Sequence, residues 1–191
     1  MFCATSTSLA YAQGNAKVAA YLQSHGFETN RIGNTKGQFA SFTKHKDANH
    51  YLIKPKDNAK ADRGDLIFLQ DPNRSEQNSG HVAILATNTR IQDKGGFTVN
   101  VYTTNAGITS DPSKETNLFG ESIYYFEKID DGNFKLVVKW VKNIDTNTWE
   151  RKDMRDKNLY LQGFGRVDEN KIDPKKNETK EETTNANNKT N

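Results

Sequence analysis

The chain has 191 residues, with 27 Lys and Arg against 24 Asp and Glu and a formal net charge of +3. Its length suits one domain with appendages, and so small a charge excess gives no case for nucleic acid, although a mildly basic body suits an anionic polymer. No run of about 18 apolar residues exists, so no membrane span is expected; Lys17 and its polar neighbours leave no apolar core for a signal peptide, and the single cysteine, Cys3, excludes a disulfide framework and a thiolate zinc cluster.

"CATSTSLAYAQG" predicts a first helix whose Ser and Thr content gives poor propensity, so that packing must support it. Gly14-Asn15 breaks and re-caps the chain. "NAKVAAYLQSHGF" predicts a second helix, with Asn15 as N-cap, Val18, Tyr21, Leu22 and His25 on one face, and Gly26 at the C′ position. Residues 28–60 are rich in Gly, Asn and Lys and read as an irregular polar connection, the place where substrate specificity would lie. From residue 62 the pattern changes. The apolar run Leu66 to Leu69, set between Gly64-Asp65 and Asp71-Pro72, reads as a buried strand in which Asp65 caps the turn. "GHVAILAT", "GFTVNVYTTN", "ESIYYFEKI", "FKLVVKWVK" and "LYLQGFGRV" read as further strands, with "DDGN" a hairpin turn between the fourth and fifth of the six. Helices followed by an antiparallel sheet point to an α+β fold over residues 1–167. Residues 168–191 lack periodicity and nearly all apolar side chains, and read as a disordered tail or linker.

A thiol attacks as thiolate, and a helix N-terminus or a neighbouring imidazolium lowers its pKa. Cys3 stands where the first helix would begin, and its backbone N–H would point to a developing oxyanion. Alone, it reads better as a small buried thiol of no consequence. Of the four histidines, His25 falls at a helix end and reads as structural, and His45 and His50 fall in the polar connection and read as solvated. His81 opens the apolar strand "HVAIL", which gives it a rigid anchor and one open side, as a catalytic base requires. Asn105, at the end of the next strand, could fix the imidazole tautomer through its side-chain carbonyl; Thr103, two residues earlier on the same face, is the weaker candidate. Trp140 and Trp149 read as packing a sheet face, with stacking on sugar as the alternative.

Cys3 at a helix start, "RGDLIFLQDP", "SGHVAIL" and the closing "LYLQGFGRV" together resemble the CHAP and NlpC-type papain-like cysteine peptidases and amidases, over residues 3–167. The resemblance implies a papain-like fold, N-terminal helices packed on an antiparallel sheet. It implies Cys3 as nucleophile, His81 as general base and Asn105 as the third residue. It also implies hydrolysis of an amide or peptide bond in peptidoglycan through a thioester, with no cofactor or metal, by a protein that is secreted, periplasmic or wall-associated. CHAP members often carry Glu where Thr103 stands, and residues usually precede the cysteine, so a truncated or re-started product is expected here. Two rival expectations remain: a papain-like domain that binds wall or a partner without cutting, and an amidase effector whose partner would be an immunity protein.

Overall fold

The computed structural model of the chain describes residues 10, 14–25, 27, 35–44, 49–73, 80–93, 95–111 and 118–172. Cys3, most of the helix expected around it, Gly26, His45 and residues 173–191 lie outside the described residues. Asn15 caps helix α1 (Ala16–Ser24) as its sequence demands: its backbone is extended and its side chain accepts the Val18 N–H at 3.1 Å. Val18, Tyr21 and Leu22, spaced by three and four, are the buried face.

The polar connection expected over residues 28–60 is in large part structured. Helix α2 (Thr35–Lys44) buries Thr35, Gln38, Ser41 and Phe42. Their spacing is helical, but three of the four are polar, so the stripe is invisible to a reading based on hydrophobicity. Strand β1 (His50–Ile53) and a 3-10 turn (Pro55–Lys60) follow. His50, expected to be solvated, is fully buried: its Nδ1 takes the Tyr21 hydroxyl at 2.9 Å and its Nε2 lies 3.2 Å from the Ser41 carbonyl. It ties both helices to the sheet, and its polarity is satisfied on both nitrogens.

The remaining strands are β2 (Leu66–Gln70), β3 (Gly80–Asp93), β4 (Gly96–Thr103), β5 (Gly107–Ile108), β6 (Gly120–Asp130), β7 (Asn133–Asn143), β8 (Trp149–Asp153) and β9 (Tyr160–Val167). They form one sheet in the order β1-β9-β2-β3-β4-β6-β7-β5, with β8 on β7. All pairs are antiparallel except β5 with β7. The expected sheet was wholly antiparallel and lacked β1, β5 and β8, which are short or polar. The "DDGN" hairpin forms, with Asp130 opposite Asn133 and Gly132 at φ 96°. Lys135 pairs with Tyr160, and the Leu136 N–H bonds the Leu159 carbonyl at 2.8 Å, so the sheet curls until β7 meets β9.

The curl separates two cores. Ile67, Leu69, Ala83, Leu85, Val101, Tyr124, Phe126 and Leu136 pack inside the curled sheet. Leu66, Phe68 and Val82, on the opposite face, pack against Val18, Tyr21, Leu22 and Phe42 of the helices. Strand β2 is therefore buried on both faces, which is why "LIFL" is an unbroken apolar run. The protein is a mixed α and β fold, a large sheet with few helices. Packed chain continues past Val167: Asp168 donates its N–H to the Asn49 carbonyl, and Ile172 is buried in the helical core, so the segment expected to be disordered from residue 168 is ordered to residue 172. Among the described residues no helix is long and apolar enough to cross a membrane.

Candidate active site

Asp65 and Arg166 join the turn before β2 to strand β9. The Asp65 carboxylate accepts the Asp62 N–H at 2.7 Å, which is the turn cap the sequence predicts. It also takes Nε and a terminal nitrogen of Arg166, on β9, at 3.0 and 2.8 Å. The same guanidinium reaches the Asp62 carboxylate and the Lys60 carbonyl, each at 2.8 Å. Burial pushes the Asp65 carboxyl up from its ordinary value, and the guanidinium opposes this. The bridge fixes β9 to the turn that leads into β2, and β2 in turn holds β3 in register, with Leu69 opposite His81.

His81 lies at the first turn of that ladder, half-buried, on the face of β3 shared with Ala83 and Leu85. Ile84 pairs with Tyr102 and Leu85 with Val101. Continued by three steps, this register would set Asn105 opposite His81, as the sequence reading requires. The ladder stops first. Asn105 takes φ 55°, a left-handed conformation that turns the chain out of the strand, and its side chain is exposed. Thr103, on the same face and still in β4, meets the imidazole instead: its Oγ1 lies 2.7 Å from His81 Nε2. The Tyr124 hydroxyl, from β6, lies 2.9 Å from the same nitrogen and donates to Thr103 Oγ1 at 3.3 Å. The ring partner expected at Asn105 is thus supplied by two hydroxyls. Among the described residues no group hydrogen-bonds Nδ1 of His81.

A cavity of about 310 Å³ opens beside the imidazole, lined by His81, Asp71, Tyr124 and Lys139 among others. Lys139 was not singled out by the sequence, and the reason is a β-bulge. Phe126 pairs with Leu136 and Tyr125 with Val138, so Val137 is an extra residue in β7. Alternation from Leu136 would turn Val138 inward and Lys139 outward; the bulge reverses this and sets Lys139 opposite Tyr124. Its ammonium donates to the Asn105 carbonyl at 2.8 Å and stands 5.8 Å from the centre of the Tyr124 ring. Only 8% of Lys139 is exposed, and burial brings its pKa down from 10.5 to about 8. Asp71, buried in the lining of the same cavity, accepts the Asn73 N–H at 2.9 Å.

Trp149, expected in a packed face, is 42% exposed, beside Leu118, Phe119 and Ile144. Among the described residues no three His, Cys, Asp or Glu side chains converge as a metal site would require. No protein-family model, no curated protein and no solved structure matches the chain.

Proposed function

We propose that the chain is a cysteine-dependent hydrolase of an amide or peptide bond in peptidoglycan, acting at the cell wall, with the papain-like arrangement that the sequence resembles. Cys3 is the nucleophile and His81 the general base and acid. The observation that carries the reading is the state of His81: Nε2 is held by Thr103 and Tyr124 while Nδ1 faces no donor or acceptor among the described residues, at the edge of a cavity. In the proposed resting state Nε2–H donates to Thr103 Oγ1, which leaves the lone pair on Nδ1, the form a base needs. In the proposed cycle Nδ1 takes the Cys3 thiol proton as sulfur attacks the scissile carbonyl. The proton then passes to the leaving amine as the C–N bond breaks, leaving a thioester. Water, deprotonated by the same nitrogen, attacks the thioester, and the proton returns to sulfur as the acid departs.

The test is digestion of purified sacculi by the full chain, with mass spectrometry of the released muropeptides and Cys3→Ala and His81→Ala as controls. New amide-cleaved fragments that disappear in both variants are the expected result. Cleavage by Cys3→Ala at the wild-type rate overturns the assignment of the nucleophile, and absence of cleavage by the wild type overturns the enzyme. One observation favours a second reading, a wall-binding domain: two neutral hydroxyls stand where a carboxylate would stabilise the imidazolium. Sedimentation of the protein with intact sacculi without release of fragments is the outcome that reading predicts.

A further inference from the structure

Lys139 is a buried cation that the proposed reaction does not use. An ammonium carries three N–H donors, and among the described residues that of Lys139 has one hydrogen-bond acceptor, the Asn105 carbonyl, and no carboxylate within ion-pair distance. Removing such a charge from water without a counter-ion is costly. A strand bulge is nevertheless spent on aiming it into the cavity beside His81. The charged and titratable groups around it are few. Tyr124, His81 and Asp71 line the same cavity, and Asp71 accepts the Asn73 N–H. Lys157 lies at the rim, paired with Asp156 at 3.0 Å, and Lys152, opposite Lys139 on β8, reaches Glu150 at 3.9 Å. The rest of the wall includes the apolar side chains Leu136, Met154 and Leu159. A compact, desolvated cation in a mixed polar and apolar cavity, with a neutral hydrogen-bond partner and room in front of it, is complementary to an anion small enough to enter: a carboxylate.

We propose that this cavity is a carboxylate subsite, in which Lys139 pairs with a carboxylate of the peptide that is cut. The inference rests on the hydrolase reading and deepens it: the substrate is an acidic peptide, and a free carboxylate close to the scissile bond sets its position against His81. Asn105, in this arrangement, is a positioning residue, its carbonyl steering the ammonium. Because the ammonium is lost as pH rises through about 8, recognition is strongest below that value and fades above it.

The test uses the full chain carrying Cys3→Ala, so that ligand is bound and not consumed. The probes are soluble muropeptides and the same muropeptides with every carboxylate converted to carboxamide by carbodiimide and ammonia, titrated by calorimetry. The acid form is expected to bind about tenfold or more tightly than the amide at pH 7, the size of one desolvated charged contact, and the advantage is expected to shrink by pH 9.5. Lys139→Gln, which keeps a donor for the Asn105 carbonyl, and Lys139→Met should bind both forms alike. Equal binding of acid and amide, binding of neither, or a preference that survives in Lys139→Gln overturns the subsite. The hydrolase reading falls separately: a wild-type chain that cuts both forms equally keeps the enzyme and loses the subsite, and one that prefers the acid but releases no fragments keeps the subsite and loses the enzyme.

Discussion

Replacing Lys139 by Met removes the buried ammonium and keeps most of the side-chain volume. Burial lowers the Lys139 pKa from 10.5 to about 8, and at 1.36 kcal/mol per pH unit that displacement is about 3 kcal/mol of unfavourable ionisation in the folded chain. Between the two values the unfolded chain binds more protons than the folded one, so stability rises with pH there. The penalty is nearly complete at pH 7 and falls to about 1 kcal/mol at pH 9.5. Against this gain the variant loses the donor to the Asn105 backbone carbonyl, about 1 kcal/mol. Lys139→Met is therefore expected to be more stable than the wild type by about 2 kcal/mol at pH 7 and to be level with it near pH 9.5. Urea unfolding of both proteins at the two pH values, followed by far-ultraviolet circular dichroism, measures the gap. Titration of the tyrosines and the other lysines is common to both chains and cancels in the comparison. A gap that is the same at pH 7 and pH 9.5 would refute the account of Lys139 as a desolvated cation.

Thr103→Val keeps the shape of a buried residue and removes the oxygen that meets His81 Nε2; wall cleavage should lose about tenfold in kcat/KM, the equivalent of one hydrogen bond, with a further loss in the Thr103→Val, Tyr124→Phe double variant, and full activity in both single variants would show that the hydroxyls do not hold the ring. Arg166→Ala leaves the Asp65 carboxylate buried without its guanidinium, so unfolding free energy should fall by about 3 kcal/mol or more, and a loss under about 1 kcal/mol in urea titrations would mean the bridge is idle. Gly96→Ala would set a Cβ 1.7 Å from the Phe126 carbonyl oxygen on the neighbouring strand; a loss of about 3 kcal/mol or more is expected, and a melting temperature unchanged by this substitution would contradict the β4–β6 packing.

Local chemistry made much of the fold readable. The Asn15 cap, the Val18, Tyr21 and Leu22 stripe, the unbroken "LIFL" run and the Asp131-Gly132 turn each carry their own signal, and each lies in the structure where that signal puts it. The misses have more than one cause. Helix α2 buries Gln38 and Ser41, the Ser41 hydroxyl donating to the Gln38 carbonyl within the helix, and β1 buries His50, whose Nδ1 takes the Tyr21 hydroxyl from another element. A polar residue paid for by a distant partner looks solvated until the partner is known. Residues 168–172 carry too little apolar character to signal order, and one buried residue, Ile172, packs that segment.

The candidate site was half legible, and the dividing line is strand register. His81 could be placed because it begins an apolar strand, and a strand's first residue needs no partner strand to be located. Its ring partner could not be placed as securely, because the choice between Thr103 and Asn105 depends on where the β3–β4 ladder ends, and the left-handed turn at Asn105 ends it before that residue can face His81. Tyr124 lies 43 positions away from His81, and Lys139 faces inward only because Val137 is extra. Period-two reading assumes an uninterrupted ladder, and both departures from it occur within reach of the same imidazole. That coincidence has a physical basis. A regular antiparallel sheet alternates its side chains without choice, so converging an imidazole, two hydroxyls and a cation at one strand end requires breaking the alternation. The bulge at Val137 and the turn at Asn105 are joined by the hydrogen bond from Lys139 to the Asn105 carbonyl, so the irregularity that aims the cation also fixes the loop that releases Thr103 to His81.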